Sequence, residues 1–163
     1  MKFLVDSMLG KLARWLRMLG HDVTYNVQLC DNELLEIARK ENRVLLTKDL
    51  ELYKRGASRG IDSLYVEGKT ESQRLAKIAK RYGITLAINM DISHCPVCNT
   101  LLESASKDQL SGELEKNTYT YYDKFWKCPN CGQVYWQGAH WKQINQTLIE
   151  AQNSLGKLKQ KSD

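Results

Sequence analysis

The sequence predicts an α/β fold, a mostly parallel sheet covered by helices on both faces, followed by a small metal-binding ribbon. Three observations predict it. Short apolar runs alternate with longer helical periods over residues 1–90, the signature of right-handed strand–helix–strand crossovers. The 163 residues suffice to bury a substantial core in one domain carrying a small appendage. Four of the five cysteines lie beyond residue 90, in two CxxC pairs.

The elements follow in order. Lys2–Val5 reads as a short buried strand ending at Asp6. Residues 8–19 read as a helix, with Leu9, Leu12, Ala13, Leu16 and Leu19 on one face, Ser7 as its N-cap and Gly20 as its stop. Residues 22–26 alternate like a strand. Asp31 and Asn32 can cap a helix over 32–41 that turns Leu34, Leu35, Ile37 and Ala38 inward. Arg43–Thr47 is a near-continuous apolar strand, and a short helix follows over 49–58. Residues 62–66 read as a fourth strand, 70–82 as a helix with Leu75, Ile78, Ala79 and Tyr82 inward, and 85–89 as a final short strand. Further on, 118–127 and 133–136 read as aromatic strands. A helix runs from 142 to about 155, then a frayed tail.

Composition excludes several classes. With 42% hydrophobic and 26% charged residues, the chain has a globular composition rather than a disordered one. No apolar run approaches the roughly 18–20 residues that span a bilayer, so no membrane role is expected. Asp6 and Lys11 interrupt the N-terminal apolar stretch, so a signal peptide is not expected and the cytoplasm is. In that reducing compartment, cysteines point to metal before disulfides. Neither GxGxxG nor GxxxxGK[ST] occurs, which removes the main support for a nucleotide cofactor. The net charge of +5 is uneven: residues 1–90 hold 16 basic and 11 acidic side chains, and residues 91–163 hold 8 of each. Charge and cysteines together divide the chain into 1–91, a ribbon over 92–141, and a tail over 142–163.

In parallel sheets, ligands bind outside the carboxyl ends of the strands. Asp6 lies at the end of the first strand, Asp49 and Glu51 just past the third, and Asp31 and Glu33 at the start of the helix after the second. Clustered carboxylates repel unless a cation joins them, and hard oxygen donors select Mg²⁺ or Mn²⁺. Such an ion polarises a phosphoryl oxygen and activates water. Lys11, Arg14 and Arg17 on the first helix would hold a nucleic-acid phosphate backbone beside it. The same residues also read structurally: Asp6 and Asp31 as helix caps, Asp49 as a turn residue, Arg14 and Arg17 as a solvated face.

Cys95-Pro-Val-Cys98 and Cys128-Pro-Asn-Cys131 are two knuckles 29 residues apart. Together they supply the four thiolates of a tetrahedral structural Zn²⁺, with no open position for catalysis. Gly132 follows the second knuckle, where a tight turn needs positive φ. His94 and His140 flank the ribbon, with His140 and Trp141 at its base. Cys30 stands alone and reads as a small apolar residue. Trp126, Tyr135, Trp136 and Trp141 read first as ribbon packing and second as stacking platforms for bases.

The opening Asp6-Ser-Met-Leu-Gly-Lys-Leu-Ala-Arg-Trp-Leu-Arg-Met-Leu-Gly20, Asp31-Asn-Glu-Leu-Leu, Leu45-Leu-Thr-Lys-Asp49, Cys95-Pro-Val-Cys98-Asn99 and Cys128-Pro-Asn-Cys131-Gly-Gln-Val-Tyr-Trp136-Gln-Gly-Ala-His140-Trp141 resemble the Mut-seven C-terminal RNase domain family. The resemblance covers about residues 1–145. It implies a PIN-like α/β/α ribonuclease domain with a C-terminal zinc ribbon. By position, Asp6 matches the acid after the first strand of PIN domains, Asp31 or Glu33 the acid on the following helical segment, and Asp49 the acid after the central strand. Glu51 is the nearest candidate for a fourth acid. The expected function is Mg²⁺- or Mn²⁺-dependent cleavage of RNA. The alternative is a non-catalytic RNA-binding or adaptor module acting through the ribbon.

Overall fold

The computed structural model describes residues 1–160. Four short strands, β1 (Lys2–Val5), β2 (Asp22–Tyr25), β3 (Val44–Thr47) and β4 (Ser63–Tyr65), form one sheet in the order β2-β1-β3-β4, every pair parallel. The connecting helices are α1 (Gly10–Met18, entered through a 3-10 turn at Ser7–Leu9), α2 (Asp31–Glu41) and α3 (Leu50–Ser58); α4 (Glu71–Tyr82) follows β4.

Side-chain alternation along the central strands divides the core into two layers. Phe3, Val5, Val44 and Leu46 face one side, where α1 and α4 cover them with Leu12, Leu16, Leu75 and Ile78. Leu4 and Leu45 face the other, against Leu34, Leu35 and Ala38 of α2 and Leu52 of α3. β3 is buried at every position, as expected of a central parallel strand. The periodic stripes of α1, α2 and α4 therefore do what their spacing predicts.

Beyond α4 the chain forms a second, antiparallel sheet, β5 (Glu103–Ala105), β6 (Phe125–Lys127) and β7 (Val134–Tyr135), in the order β5-β6-β7. A short helix α5 (Lys116–Tyr121) precedes β6, and α6 (Trp141–Gln160) ends the described chain. α6 returns to the first unit, where Leu148 and Ala151 enter the layer that holds α4.

Several expectations need correction. Residues 85–89 are not a strand. Their alternating burial is real, with Ile84 and Leu86 inward, but no strand among the described residues lies beside them, and the Leu86 carbonyl accepts instead from Gln152 Nε2 of α6 at 2.8 Å. The Thr/Tyr-rich segment from 118 is helical to Tyr121, and only 125–127 is extended. Its tyrosines are largely outside the core, so strand propensity has no packing to enforce it. The helix after 142 continues through Gly156 to Gln160, because Leu155 packs on the core; the rest of the expected frayed tail, residues 161–163, lies outside the described residues. Ser7 lies inside the 3-10 turn rather than capping α1. Cys30, read as a small apolar residue, is exposed and occupies the N-cap of α2.

Candidate functional site

The chain runs from β1 outward to β2 on one side and then crosses to β3 on the other, so β1 and β3 flank the point where the sheet order reverses. That point is the usual ligand crevice of an open parallel sheet. Asp6 follows β1 there and is 7% exposed. Its N–H continues the ladder to the Leu46 carbonyl (3.0 Å), which fixes the direction of its side chain. Asp6 Oδ2 accepts from Thr47 Oγ1 at 2.8 Å, and Oδ1 accepts from Ser7 Oγ at 3.1 Å. The Thr47 hydroxyl, fully buried, accepts in turn from the Asp49 N–H at 2.9 Å. A single hydroxyl thus ties Asp6 at the end of β1 to Asp49 beyond β3.

Asp49 is the N-cap of α3: its Oδ1 accepts from the N–H groups of Glu51 (2.8 Å) and Leu52 (3.1 Å). Its second oxygen makes no such bond. The structural reading of Asp49 is therefore correct as far as it goes, and it leaves one carboxylate oxygen for a ligand.

The other acids each have a local partner. Asp31 pairs with Arg55 Nη1 at 2.9 Å, and Glu51 with Lys54 at 3.1 Å. Glu33 Oε2 accepts from the Cys30 N–H at 2.8 Å, the returning arm of a capping box. That backbone bond holds the Glu33 carboxyl below its ordinary range. Among the described residues, only the four cysteines bring three or more His, Cys, Asp or Glu ligand atoms within 4.8 Å of one another. The five acids therefore form no closed cage; Asp6 and Asp49 are the pair the fold joins.

Lys11 and Arg14 are exposed on α1. Arg17, expected beside them to hold phosphate, is 6% exposed and fully engaged. Its Nε and Nη2 donate to the Val23 carbonyl (3.1 and 2.8 Å), and its Nη1 donates to the carbonyls of Pro96 (2.9 Å) and Val97 (3.2 Å). Burial is the main influence lowering its pKa. Arg17 is one helical turn from the buried Ala13, and that spacing was the available signal that it faces inward.

The cysteine quartet is assembled. Cys95 and Cys131 sulfurs are 3.6 Å apart and those of Cys98 and Cys128 3.3 Å. Four sulfurs around Zn²⁺ at roughly 2.3 Å sit about 3.8 Å from one another, so the donor set fits such a metal. The two knuckles share one backbone pattern. Cys95 N–H donates to Thr100 O and Asn99 N–H to Cys95 O; Cys128 N–H donates to Gln133 O and Gly132 N–H to Cys128 O. The fifth residue has positive φ in both: Asn99 at 70° and Gly132 at 77°. Thr100 and neighbouring groups push the Cys98 thiol down to about 5. For Cys131, the Gln133 N–H favours the thiolate, but burial and the adjacent sulfurs outweigh it and push the thiol up to about 12. Four thiolates cannot share this space without a cation. Tyr135 Oη lies 3.0 Å from the Cys95 sulfur, bracing the quartet from outside.

The first knuckle is also bonded to the parallel sheet. Asn99 Oδ1 accepts from the Val23 N–H at 2.8 Å, and its Nδ2 donates to Asp22 Oδ1 at 2.7 Å. With Arg17 on the Val23 carbonyl, both outward-facing polar groups of Val23 on edge strand β2 are satisfied. Asp22 pairs in turn with Arg43 at 3.0 Å. Burial alone would raise the Asp22 pKa, but Arg43 and Asn99 hold it below the usual carboxylate range. The His94 N–H caps the Arg17 carbonyl at 2.9 Å, and Ser93 Oγ lies 2.7 Å from that of Met18. Sequence reasoning missed Asn99, although laying Cys95–Asn99 over Cys128–Gly132 puts an asparagine where the other knuckle has glycine.

The family model of the Mut7-C RNAse domain matches residues 1–148. The chain belongs to the Mut7-C RNAse domain family. No curated protein and no solved structure matches it. The Mut7-C match spans both the parallel sheet with its acidic edge and the cysteine ribbon, so one family unit contains both candidate sites. Membership suggests a ribonuclease family and RNA as the substrate class. Among the described residues, no helix of this Mut7-C chain is long and apolar enough to cross a membrane.

Proposed function

We propose that the protein is a metal-dependent ribonuclease with a PIN-like catalytic edge and a structural zinc ribbon, working in the cytoplasm. The observation that carries this reading is the Asp6–Thr47–Asp49 chain at the reversal point of the sheet, in a member of an RNase family. Mg²⁺ typically binds one or two protein carboxylates and completes its shell with waters and substrate phosphate. Asp6 and Asp49 suit that role, with Glu51 beside them. When bound, the ion supplies phosphoryl polarisation and an activated water. Thr47 orients Asp6 by donating to Oδ2 while Ser7 donates to Oδ1, and each oxygen keeps acceptor capacity for a cation. Lys11 and Arg14 hold the phosphate backbone. Asp31 and Glu33 join the site only if Arg55 and the Cys30 N–H release them. Cys95, Cys98, Cys128 and Cys131 hold zinc.

Asp6→Asn keeps an oxygen that accepts from Thr47 while removing the charge. It and Asp49→Asn are expected to reduce Mn²⁺-dependent RNA cleavage by at least about 10³-fold, since metal stabilisation of the transition state is worth several kcal/mol. The melting temperature should stay near that of the parent. Undiminished cleavage by the purified double variant would refute the assignment. The dispersal of the acids favours one other reading, an RNA-binding module that acts through the ribbon. Its mark is RNA binding that needs zinc and ignores both Mg²⁺ and the carboxylates.

A further inference from the structure

We propose that the cleft between the ribbon and the start of α6 seats one unpaired nucleotide of RNA, its base against Trp136 and its phosphate at the helix N-terminus. The inference rests on the reading that this chain handles RNA, and it concerns a surface outside the carboxylate edge. The cleft has a volume of about 580 Å³ and a predominantly apolar lining, including Met90, Tyr122, Trp136, His140, Trp141 and Ile144. No Asp, Glu, Lys or Arg lines it. A lining this rich in aromatic rings suits a flat aromatic guest, and base–aromatic stacking tolerates any sequence.

Trp136 is held in place. Its ring packs against Tyr122 (centroids 6.5 Å apart) and Phe125 (6.4 Å). A Cβ on Gly138 would lie 2.6 Å from Trp136 Nε1, so the absent side chain is what lets the indole rest against the backbone. The wall is thus preformed, which lowers the ordering cost of binding. The rim supplies the complementary charge. α6 is 20 residues long and has no acid in its first turn. The Trp141 N–H is taken by the Gly138 carbonyl (3.0 Å), which leaves the Lys142 and Gln143 amides at the helix end, and Lys142 is exposed there. A phosphate attached to the seated base meets a positive helix end. An apolar peptide would fill the cleft but leave that rim unused, and a duplex could not deliver a stacked base.

The test is fluorescence anisotropy of a labelled octauridylate on the zinc-loaded full chain, without Mg²⁺ or Mn²⁺ so that the RNA stays whole. An abasic ribose-phosphate octamer and an eight-base-pair duplex serve as comparisons. The octauridylate is expected to bind at least about tenfold tighter than either. Trp136→Leu and Gly138→Ala should each weaken it about tenfold, with Trp136→Phe restoring most of the loss. Lys142→Glu, at an exposed position, should weaken binding and flatten its salt dependence. Equal affinity for the abasic octamer, no RNA binding at all, or full binding by Trp136→Leu and Lys142→Glu overturns the proposal. If those variants bind normally while Asp6→Asn still abolishes cleavage, the cleft is wrong and the nuclease reading stands. If binding follows the cleft in a chain that never cleaves, the cleft stands and the nuclease reading falls.

Discussion

The cysteine quartet and the carboxylate edge are both expected to hold cations, yet they are built in opposite ways. The sulfurs lie together in one compact group, each knuckle fixed by its own backbone hydrogen bonds and by a positive-φ residue. The carboxylates are spread over three segments, and most are engaged locally: Asp31 with Arg55, Glu33 with a backbone amide, Glu51 with Lys54. Only Asp6 and Asp49 share a partner, Thr47. A structural site must be complete to contribute to folding, whereas a site that turns over substrate can leave part of its shell to the substrate's own phosphate.

The sharpest way to break this contrast is to remove a sulfur. Cys128→Ser should cost most of the metal's contribution to the ribbon, on the order of 10 kcal/mol. Zinc content should fall from about one ion per chain to near zero, with loss of the antiparallel sheet's NMR signals. A variant that keeps zinc and melts with the parent would show that the quartet is not a metal centre. Next in size is Arg17→Met, which strands the buried Val23 carbonyl and the part-buried carbonyls of Pro96 and Val97. The expected loss is about 2–4 kcal/mol in denaturant unfolding, with no change in RNA affinity for the folded protein. If instead affinity falls and stability holds, Arg17 belongs to the phosphate-binding surface after all.

Asn99 gives a finer probe. Asn99→Ala loses two hydrogen bonds and strains the 70° φ, whereas Asn99→Gly loses the bonds alone. The alanine should be the worse by about 0.5–1 kcal/mol, measured by urea midpoints. An effect of similar size separates the acid sensitivity of the sheet from that of the thiolates. Burial, reinforced by the N-terminal ammonium and His94, lowers the His21 pKa to about 4. The unfolded state therefore binds the proton first: stability is whole above the ordinary value near 6.5 and is lost as pH falls from there through about 4. His21 is only partly buried, so the loss is about 1 kcal/mol once screening is allowed for. With zinc in excess, His21→Phe, which keeps the edge-on contact with Phe3, should flatten that limb of the pH profile.

What could be read from sequence followed the range of the interaction. The apolar runs of β1 and β3, the stripes of α1, α2 and α4, and the CxxC spacing are local patterns, and the structure matches them. Residues 85–89 show where local pattern fails: the alternation is present, but a strand needs a neighbour, and the neighbour is a glutamine of α6. Arg17 shows the same for charge. Three basic residues on one helix look alike until the knuckle, some 80 residues away, claims one of them. Among the acids, the sequence shows which residues stand near strand ends, but Thr47 as the link between two of them appears only in three dimensions.

The bonds from Asn99 and Arg17 to Val23 have a consequence for the fate of the chain. An open strand at the side of a sheet is a template on which other chains can pair and aggregate. Here the first knuckle lies over β2 and, with Arg17, occupies the outward hydrogen-bonding groups of Val23. If the metal holds the knuckle in shape, it also guards a strand it never touches. A chain that loses its metal then loses more than its ribbon: it exposes a ready site for self-association.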